Sequence, residues 1–155
     1  MKIDDFIQQD QASRAKKQLG HTAISRKAPS RPMRFLQEHD LLKGRMLDYG
    51  CGRGTDAKFF GMDAYDPFWM PERPTGTFDT ITCHFVLNVV DRDMRSDIIA
   101  DIRNLLVIGG TAYLTVRRDM KQSYAVHGSY TQSIVVLELP SLEKNNSYEI
   151  YQLEK

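Results

Sequence analysis

The chain has 155 residues, of which 41% are hydrophobic and 26% are charged, and its formal net charge is +1. This composition is typical of one globular domain, and it excludes a fibrous protein and a disordered tail. An apolar run of about eighteen residues, as a bilayer span requires, is absent, and the N-terminus is too polar for a secretory signal, so the sequence predicts a cytoplasmic protein.

The first 44 residues are predicted to form a helical and basic N-terminal segment, which precedes a core at residues 45–155 within a single domain. Residues 3–19 carry apolar side chains at the spacing of a weak amphipathic helix that Gly20 ends. Ser30 is placed to cap a second helix that opens at residue 31 or 32 and is stopped by Gly44.

The N-terminal segment also holds most of the charge asymmetry of the chain. Residues 11–34 contain seven basic side chains and no acidic one. Clustered Lys and Arg release counterions when they bind a phosphate backbone, so this pattern favours a nucleic-acid partner. A solvated arm that serves solubility explains the same charges. We call residues 14–34 the basic segment. Its basic residues are Arg14, Lys16, Lys17, Arg26, Lys27, Arg31 and Arg34.

The core alternates predicted strands and helices. Residues 78–87 are a near-continuous apolar run, as expected for a central strand that is buried on both sheet faces. The order strand, helix, strand, helix, strand predicts a mostly parallel α/β sheet. The predicted elements are a strand from residue 45, a short helix at 56–60, the strand at 78–87, a helix from Asp91 that Gly109 and Gly110 end, a strand at 111–116, and a final antiparallel hairpin of 133–138 with 148–153.

The sharpest motif is the glycine-rich sequence LDYGCGRG at residues 47–54, at the end of the first predicted strand. A dinucleotide-binding GxGxxG motif would place its third glycine at position 55, which is Thr55, so the pattern here is DxGxGxG instead. Asp66 follows Asp48 by eighteen residues, which is close to the interval of a ribose-binding carboxylate at the end of a second strand. An Asp before a Pro is also an ordinary turn former, and Asp63 competes with Asp66 for the ribose role.

The two cysteines, Cys51 and Cys83, form neither a CxxC pair nor a cysteine–histidine cluster. This spacing argues against both a disulfide framework and structural zinc, so no metal site is predicted. Cys51 lies within the glycine-rich turn and needs no redox role to explain it.

Together these motifs resemble the class I S-adenosylmethionine-dependent methyltransferases. LDYGCGRG looks like their first motif, and AYDP at residues 64–67 looks like the end of their second strand. Their fourth strand and its following turn are similar to FDTITCHFVLNVV at 78–90, and the next helix-to-strand segment is similar to LLVIGGTAYLTV at 105–116. More narrowly, HTAISRKAPSRPMR at 21–34, together with the glycine motif and VLNVV, is similar to methyltransferases associated with DNA phosphorothioation systems.

The resemblance implies a compact, truncated Rossmann-like fold that binds S-adenosyl-L-methionine. Gly50 and Gly52 would pass beneath the amino-acid part of the cofactor, and Asp66 would accept both ribose hydroxyls, as an acceptor-only group can. Asp48 would order the glycine turn or meet the cofactor ammonium. The cofactor-binding residues implied are Asp48, Gly50, Cys51, Gly52, Asp66, Pro67, Phe68, Cys83 and His84.

Two residues after the central strand are the catalytic candidates. His84 stands where amino-methylating relatives begin an (N/D)PPY tetrapeptide, but the residues here are HFVL. A histidine at this strand end is able to act as a general base, and a core histidine with satisfied hydrogen bonds is the alternative. Asn88 would orient substrate or cap the following helix.

The chain departs from the family between Asp66 and Phe78, where only residues 67–77 remain. A parallel crossover needs a dozen or more residues, so the third strand is predicted to be absent. Phe68, Trp69 and Met70 would then cover the adenine, or plug the sheet edge. The connection from Val116 to Ser133 also lacks a covering helix, so either the N-terminal helix or another subunit would cover the bare sheet face, and we expect a homodimer or a partner subunit.

The resemblance therefore implies a methyltransferase with an unidentified acceptor, for which nucleic acid is one candidate. The alternative is a non-catalytic cofactor-binding adaptor or regulatory subunit with a reduced fold. An enzyme that uses the cofactor differently, or another nucleotide-binding α/β protein, stays open as well.

Overall fold

The computed structural model describes Gly20, residues 22–126 and residues 130–155. The helix predicted at 3–19 lies outside these residues. The helices are α1 (Arg31–Glu38), α2 (Thr55–Phe60) and α3 (Arg92–Leu105). The strands are β1 (Met46–Tyr49), β2 (Asp63–Tyr65), β3 (Phe78–His84), β4 (Leu106–Arg117), β5 (Tyr124–Val126), β6 (Tyr130–Gln132), β7 (Ser141–Lys144) and β8 (Tyr148–Glu154).

Six of these strands form one sheet in the order β2-β1-β3-β4-β8-β7, and β5 pairs with β6 in a separate two-stranded ribbon. The first four strands of this order are parallel, whereas β8 runs antiparallel to β4 and β7 antiparallel to β8. The fold class predicted from the sequence, a mostly parallel sheet with a C-terminal antiparallel hairpin, is confirmed.

Apolar side chains cover both faces of the sheet, and successive side chains of β4 belong to the clusters on opposite faces. Leu114 belongs to the cluster beneath α3, where Ile102 is fully buried. Tyr113, one position earlier, points to the other face and packs with Met33 and Leu36 of α1. Because successive side chains of a strand point to opposite faces, one strand contributes to both halves of the core.

The helix α1 begins as predicted, but it ends earlier. The Ser30 Oγ accepts a hydrogen bond from the Met33 backbone N–H at 3.4 Å, as an N-cap does. The helix ends at Glu38, so the expectation that Gly44 stops it was wrong. Gly44 instead has φ +66 in the loop before β1, where a Cβ atom would lie 2.3 Å from the Asp79 carboxylate.

The glycines at 109 and 110 do not end α3, as the sequence predicted, because α3 already ends at Leu105 and both glycines lie inside β4. The pairing of β3 with β4 shifts register between Phe78 and Thr80, which marks a bulge in this region. A Cβ atom at Gly110 would lie within 3.1 Å of two carbonyl oxygens of β3. Close backbone approach between strands therefore explains this glycine.

The closing hairpin uses a different first strand from the one predicted. Residues 141–144 pair with β8, and the alternating residues 133–138 are not a strand. The Asn145 Oδ1 accepts backbone hydrogen bonds from Ser147 (2.8 Å) and Tyr148 (3.0 Å), which fixes the turn between β7 and β8. The alternation at 133–138 arises instead because Val135 packs into the core beneath an extended segment.

The predicted loss of the third strand is confirmed, since β2 is the first strand of the sheet and residues 67–77 hold only a bridge between Asp66 and Met70. The described residues between Val116 and Ser133 contain β5 and β6 and no helix. Within the described part of the chain, no helix is long and apolar enough to cross a membrane.

Candidate functional site

A cavity of about 420 Å³ opens at the carboxyl ends of the parallel strands β1, β2 and β3. Ligands of open α/β sheets bind at this edge, and the volume lies in the range of small-molecule sites. Four stretches of chain enclose it: residues before α1, the turn after β1, the residues after β2, and the turn after β3. Its walls include Thr22, Ala23, Ile24, Arg26, Ser30, Asp48, Gly50, Cys51, Gly52, Asp56, Asp66, Pro67, Phe68, His84, Phe85, Val86, Val89, Val90, Met94 and Ile98.

The glycine turn, Gly50 to Gly54, forms the floor of this cavity. Its three glycines have φ values of +73, +54 and +81, a region that side chains with a Cβ atom rarely adopt. The Gly50 and Cys51 N–H groups both donate to the Tyr65 carbonyl, at 2.7 and 3.0 Å, which ties the turn to the end of β2. A Cβ atom at Gly50 would lie 2.4 Å from a methyl group of Val86, so the turn packs directly against the segment after β3.

Asp66 links the end of β2 to the glycine turn. Its Oδ2 accepts from the Gly52 N–H at 3.0 Å, and its Oδ1 accepts from the N–H groups of Phe68 (2.9 Å) and Trp69 (3.0 Å). A carboxylate has about four acceptor positions, so among the residues that the structure describes one position on Oδ2 has no donor. Asp66 therefore both forms a turn and lines the cavity. The two ribose hydroxyls expected at Asp66 would meet a carboxylate that already accepts from three N–H groups. Asp63, in contrast, pairs with Arg45 at 3.0 Å and does not line the cavity.

Asp48 lies at the end of β1, where its side chain is almost fully buried. Its Oδ1 accepts a hydrogen bond from the Thr82 hydroxyl at 3.0 Å. Burial, together with the nearby negative charge of Asp56, raises the pKa of Asp48 to about 7. A cation placed beside this carboxyl group would favour its ionised form.

His84, the last residue of β3, lines the cavity and has one unpartnered ring nitrogen that is buried. Its Nδ1 lies 2.7 Å from the Thr115 Oγ1, whereas its Nε2 is shielded from solvent and has no hydrogen-bond partner in the described part of the chain. Burial lowers the pKa of His84 to about 4, so the imidazole is neutral near neutral pH. Buried polar atoms are normally paired, so this nitrogen is an exception next to the cavity.

Two residues named from the sequence lie off the cavity. Asn88 is buried, and its Nδ2 donates to the Gln132 side chain at 2.9 Å while its backbone carbonyl accepts from the Ser133 N–H. These contacts attach β6 to the turn after β3. Cys83 is fully buried in the core cluster beneath α3.

The remaining named residues, Cys51, Pro67 and Phe68, line the cavity as Asp48, Gly50, Gly52, Asp66 and His84 do. Burial raises the pKa of the Cys51 thiol to about 12, so the thiol stays protonated. Among the described residues there is no cluster of His, Cys, Asp or Glu that could hold a metal ion.

Three wall residues that the sequence analysis did not assign to the site form one hydrogen-bonded cluster: Arg26, Ser30 and Asp56. The buried Asp56 carboxylate accepts from Arg26 Nη1 and Nη2 at 3.1 and 3.2 Å, and from the Ser30 N–H and hydroxyl, both at 2.8 Å. Burial raises the pKa of Asp56, but the bonds from Arg26 and Ser30 outweigh it and hold the pKa below its usual value. No local spacing connects residues thirty positions apart. The one available signal was an acidic residue in the first turn of α2, where the helix dipole favours negative charge.

These contacts also occupy part of the basic segment. Arg26 pairs with Asp56, and the Arg31 guanidinium lies 5.5 Å from the Tyr148 ring centroid and donates to the Ser147 hydroxyl at 3.1 Å. Lys27 and Arg34 are exposed. Two of the charges offered to an anionic partner are therefore used within the molecule.

Solved structures of a methyltransferase and of a protein in complex with SAH share this fold. The chain is similar to TehB from Haemophilus influenzae (TM-score 0.58, 12% identity, 84% of this chain and 63% of that one). It is also similar to DhpI in complex with SAH (TM-score 0.56, 12% identity, 90% and 94%). A third match is 1,6-didemethyltoxoflavin-N1-methyltransferase of Burkholderia thailandensis, with 1,6-didemethyltoxoflavin and S-adenosylhomocysteine bound (TM-score 0.54, 18% identity, 79% and 76%).

At these identities the likeness concerns the fold alone. The chain spans half of the length of a matched protein of echinomycin biosynthesis (50%) and a fifth of PKMT2 from Rickettsia typhi (21%). No protein-family model and no curated protein matches the sequence.

Proposed function

We propose that the chain is a methyltransferase that binds S-adenosylmethionine in the cavity at the carboxyl ends of β1, β2 and β3. The observation that carries the proposal is the convergence on one cavity of the glycine turn, the Asp66 carboxylate and the buried Asp48 carboxyl group, at the carboxyl ends of the parallel strands. The fold, which is shared with proteins that contain S-adenosylhomocysteine, supports the same cofactor.

The residues present fit the parts of this cofactor. The glycine turn offers a floor without side chains for the amino-acid part, and Asp48 offers a carboxyl group for its ammonium. The open acceptor position on Asp66 Oδ2 would take one ribose hydroxyl. Phe68 and Trp69, each about a third exposed beside the cavity, would cover the adenine in place of the missing third strand.

When bound, the cofactor supplies a methyl group on a sulfonium, which is already a good leaving group. The chain therefore needs chiefly to align the acceptor and to exclude water. The Nδ1 of His84 shares a hydrogen bond with the Thr115 hydroxyl; in the tautomer that carries its proton on Nδ1, Nε2 would be the acceptor for an O–H or N–H of the acceptor substrate. The pKa of about 4 makes His84 a weak base, so we assign it to orienting the acceptor.

Calorimetric titration of S-adenosylmethionine and S-adenosylhomocysteine into the protein tests the proposal directly, with NADH as the negative control. We expect micromolar binding of the first two and none of NADH. Absence of binding to both sulfur compounds would refute the proposed cofactor.

Cofactor affinity is expected to depend on pH through Asp48. Its pKa is about 7 in the folded protein against 3.8 for an ordinary aspartate, so below pH 7 the carboxyl group is mostly protonated. A cationic ammonium favours the ionised form, and binding then releases a proton, so affinity should rise by up to about tenfold per pH unit between about pH 5.5 and 7. The same shift stabilises the free protein below about pH 4, and that contribution is lost as the pH rises through 7.

The measurement is calorimetry in buffers of different ionisation enthalpy, which counts the protons released. Asp48→Asn serves as the control, because an amide cannot titrate. An unaltered pH dependence in that variant would assign the effect to another group.

The alternative is a cofactor-binding subunit without turnover, and the shortened architecture favours it. The described core lacks the third strand, and Asn88 is committed to Gln132 and does not line the cavity. Formation of S-adenosylhomocysteine during incubation with candidate acceptors would distinguish the enzyme from the binding subunit.

A nucleic-acid acceptor is a further extension of the proposal, and it rests on the basic segment alone. Lys27 and Arg34 are exposed, whereas Arg26 and Arg31 make contacts within the molecule. If phosphates are bound there, affinity for DNA or RNA falls steeply as the salt concentration rises. A flat salt dependence would remove this extension and leave the cofactor proposal unaffected.

A further inference from the structure

Residues 22–30, which we call the covering segment, cross the glycine turn ahead of α1 and form one wall of the cavity. The side chains of Ala23, Ile24 and Arg26 line it. Ala23 lies so close to the glycine turn that a Cβ atom at Gly52 would be 3.0 Å from the Ala23 Cβ. The covering segment therefore closes the cavity directly above the place where the cofactor's amino-acid part is proposed to bind.

Two hydrogen bonds within the described residues hold the beginning of this segment in place. Ala23 donates to the carbonyl of Gly20 at 3.4 Å, and that carbonyl also accepts from the Trp69 indole at 2.9 Å. These contacts anchor the beginning of the covering segment near Asp66. They do not fix its second half, residues 26–30.

The second half is held by the first turn of α2, mainly by the Asp56 carboxylate and also by the Thr55 hydroxyl, which donates to the Arg26 carbonyl at 3.5 Å. Asp56 accepts two hydrogen bonds from the Arg26 guanidinium and two from Ser30, and its side chain is only 3% exposed. The Ser30 hydroxyl donates to Asp56 and accepts from the Met33 N–H, so the same group also caps α1. In this way Asp56, in the first turn of α2, joins the covering segment to the helix that follows the glycine turn.

A bidentate, nearly buried pair of this kind is costly to break from one side, because the remaining charge is left without its partner. The Arg26 side chain is about a third exposed, at 32%, so the pair sits at the rim of the cavity and not in the core. Loss of the Arg26–Asp56 pair should therefore free the covering segment without unfolding the sheet.

We propose that Asp56 and Arg26 are positioning residues for the cofactor: their ion pair holds the covering segment across the cavity and so slows release of the bound S-adenosyl compound. This inference rests on the proposed function. Neither residue is assigned a direct contact with the reacting atoms.

The test compares Arg26→Gln with Arg45→Gln. Both substitutions remove an arginine from an ion pair, but Arg45 pairs with Asp63 away from the cavity. We expect S-adenosylhomocysteine to dissociate at least about tenfold faster from Arg26→Gln in stopped-flow measurements, and at the unaltered rate from Arg45→Gln. Arg26→Lys, which keeps the charge but loses the two-pronged geometry, should give an intermediate rate.

A second readout needs no cofactor. Lys27 is exposed within the covering segment, so trypsin cleavage after this residue reports how often the segment leaves its place. Asp56→Asn should be cleaved several-fold faster than the unaltered protein at a temperature well below the unfolding midpoint of both proteins, which circular dichroism measures.

The outcomes separate the two ideas. If the unaltered protein binds neither S-adenosyl compound, the proposed function fails. If it binds both, but the release rates of Arg26→Gln and Arg45→Gln are equal, the positioning role of the Arg26–Asp56 pair is wrong and the proposed function stands.

Discussion

Replacement of Asp66 by alanine is expected to weaken S-adenosylhomocysteine binding by about 100-fold or more. The variant loses the acceptor for a ribose hydroxyl, and a hydrogen bond to a charged group contributes about 1.5–3 kcal/mol. It also frees the N–H groups of Gly52, Phe68 and Trp69, which the carboxylate now holds around the cavity. A combined loss of about 3 kcal/mol corresponds to this factor, and calorimetry measures it.

Asp63→Ala is the matched control, because Asp63 begins the strand that Asp66 directly follows, and it pairs with Arg45 away from the cavity. Its affinity should equal that of the unaltered protein. A loss of affinity in Asp63→Ala with little change in Asp66→Ala would exchange the roles of the two carboxylates.

Gly50→Ala is expected to destabilise the protein by about 3 kcal/mol and to abolish cofactor binding. A side chain at φ +73 costs about 1–2 kcal/mol, and the new Cβ atom would lie 2.4 Å from the Val86 methyl group, an overlap that adds about 1–3 kcal/mol. Urea denaturation gives the stability change, and the same calorimetry gives the affinity.

The chain offers controls for each part of this effect. Gly61 has φ +62 and no atom within 4 Å of the added Cβ position, so Gly61→Ala isolates the backbone cost of about 1 kcal/mol. Val86→Ala removes the methyl group that clashes, so the double variant Gly50→Ala/Val86→Ala should recover the overlap cost. Equal stability losses at Gly50 and Gly61 would show that the turn does not press against Val86.

The features predicted correctly from the sequence depend on residues that are close together in the chain. The glycine turn, the short helix after it and the missing third strand follow from the spacing between residues 48 and 78. The end of α3 was misjudged because a glycine at a close strand approach looks the same in sequence as a helix C-cap. The hairpin partner was misjudged because residues 133–138 alternate in burial without belonging to the sheet.

For the candidate site too, the residues predicted correctly are those that lie in local motifs. Eight of the nine residues named as cofactor-binding line the cavity, with Cys83 in the core behind it. Arg26 and Asp56 could not be paired from the sequence, because their contact depends on how the segment before α1 folds back over α2. Their charges looked like surface charges in a basic arm and a short helix.

The two edge strands of the sheet affect how this molecule associates with other chains. The outermost strands, β2 and β7, have only three and four residues. Asp63 of β2 is paired with Arg45, and β7 carries Glu143 and Lys144. Short, charged outer strands discourage addition of a further strand from another molecule, and hence edge-to-edge aggregation. If copies of the chain associate, we therefore expect the contact to involve the layers that cover the sheet, with the edge strands β2 and β7 left unpaired.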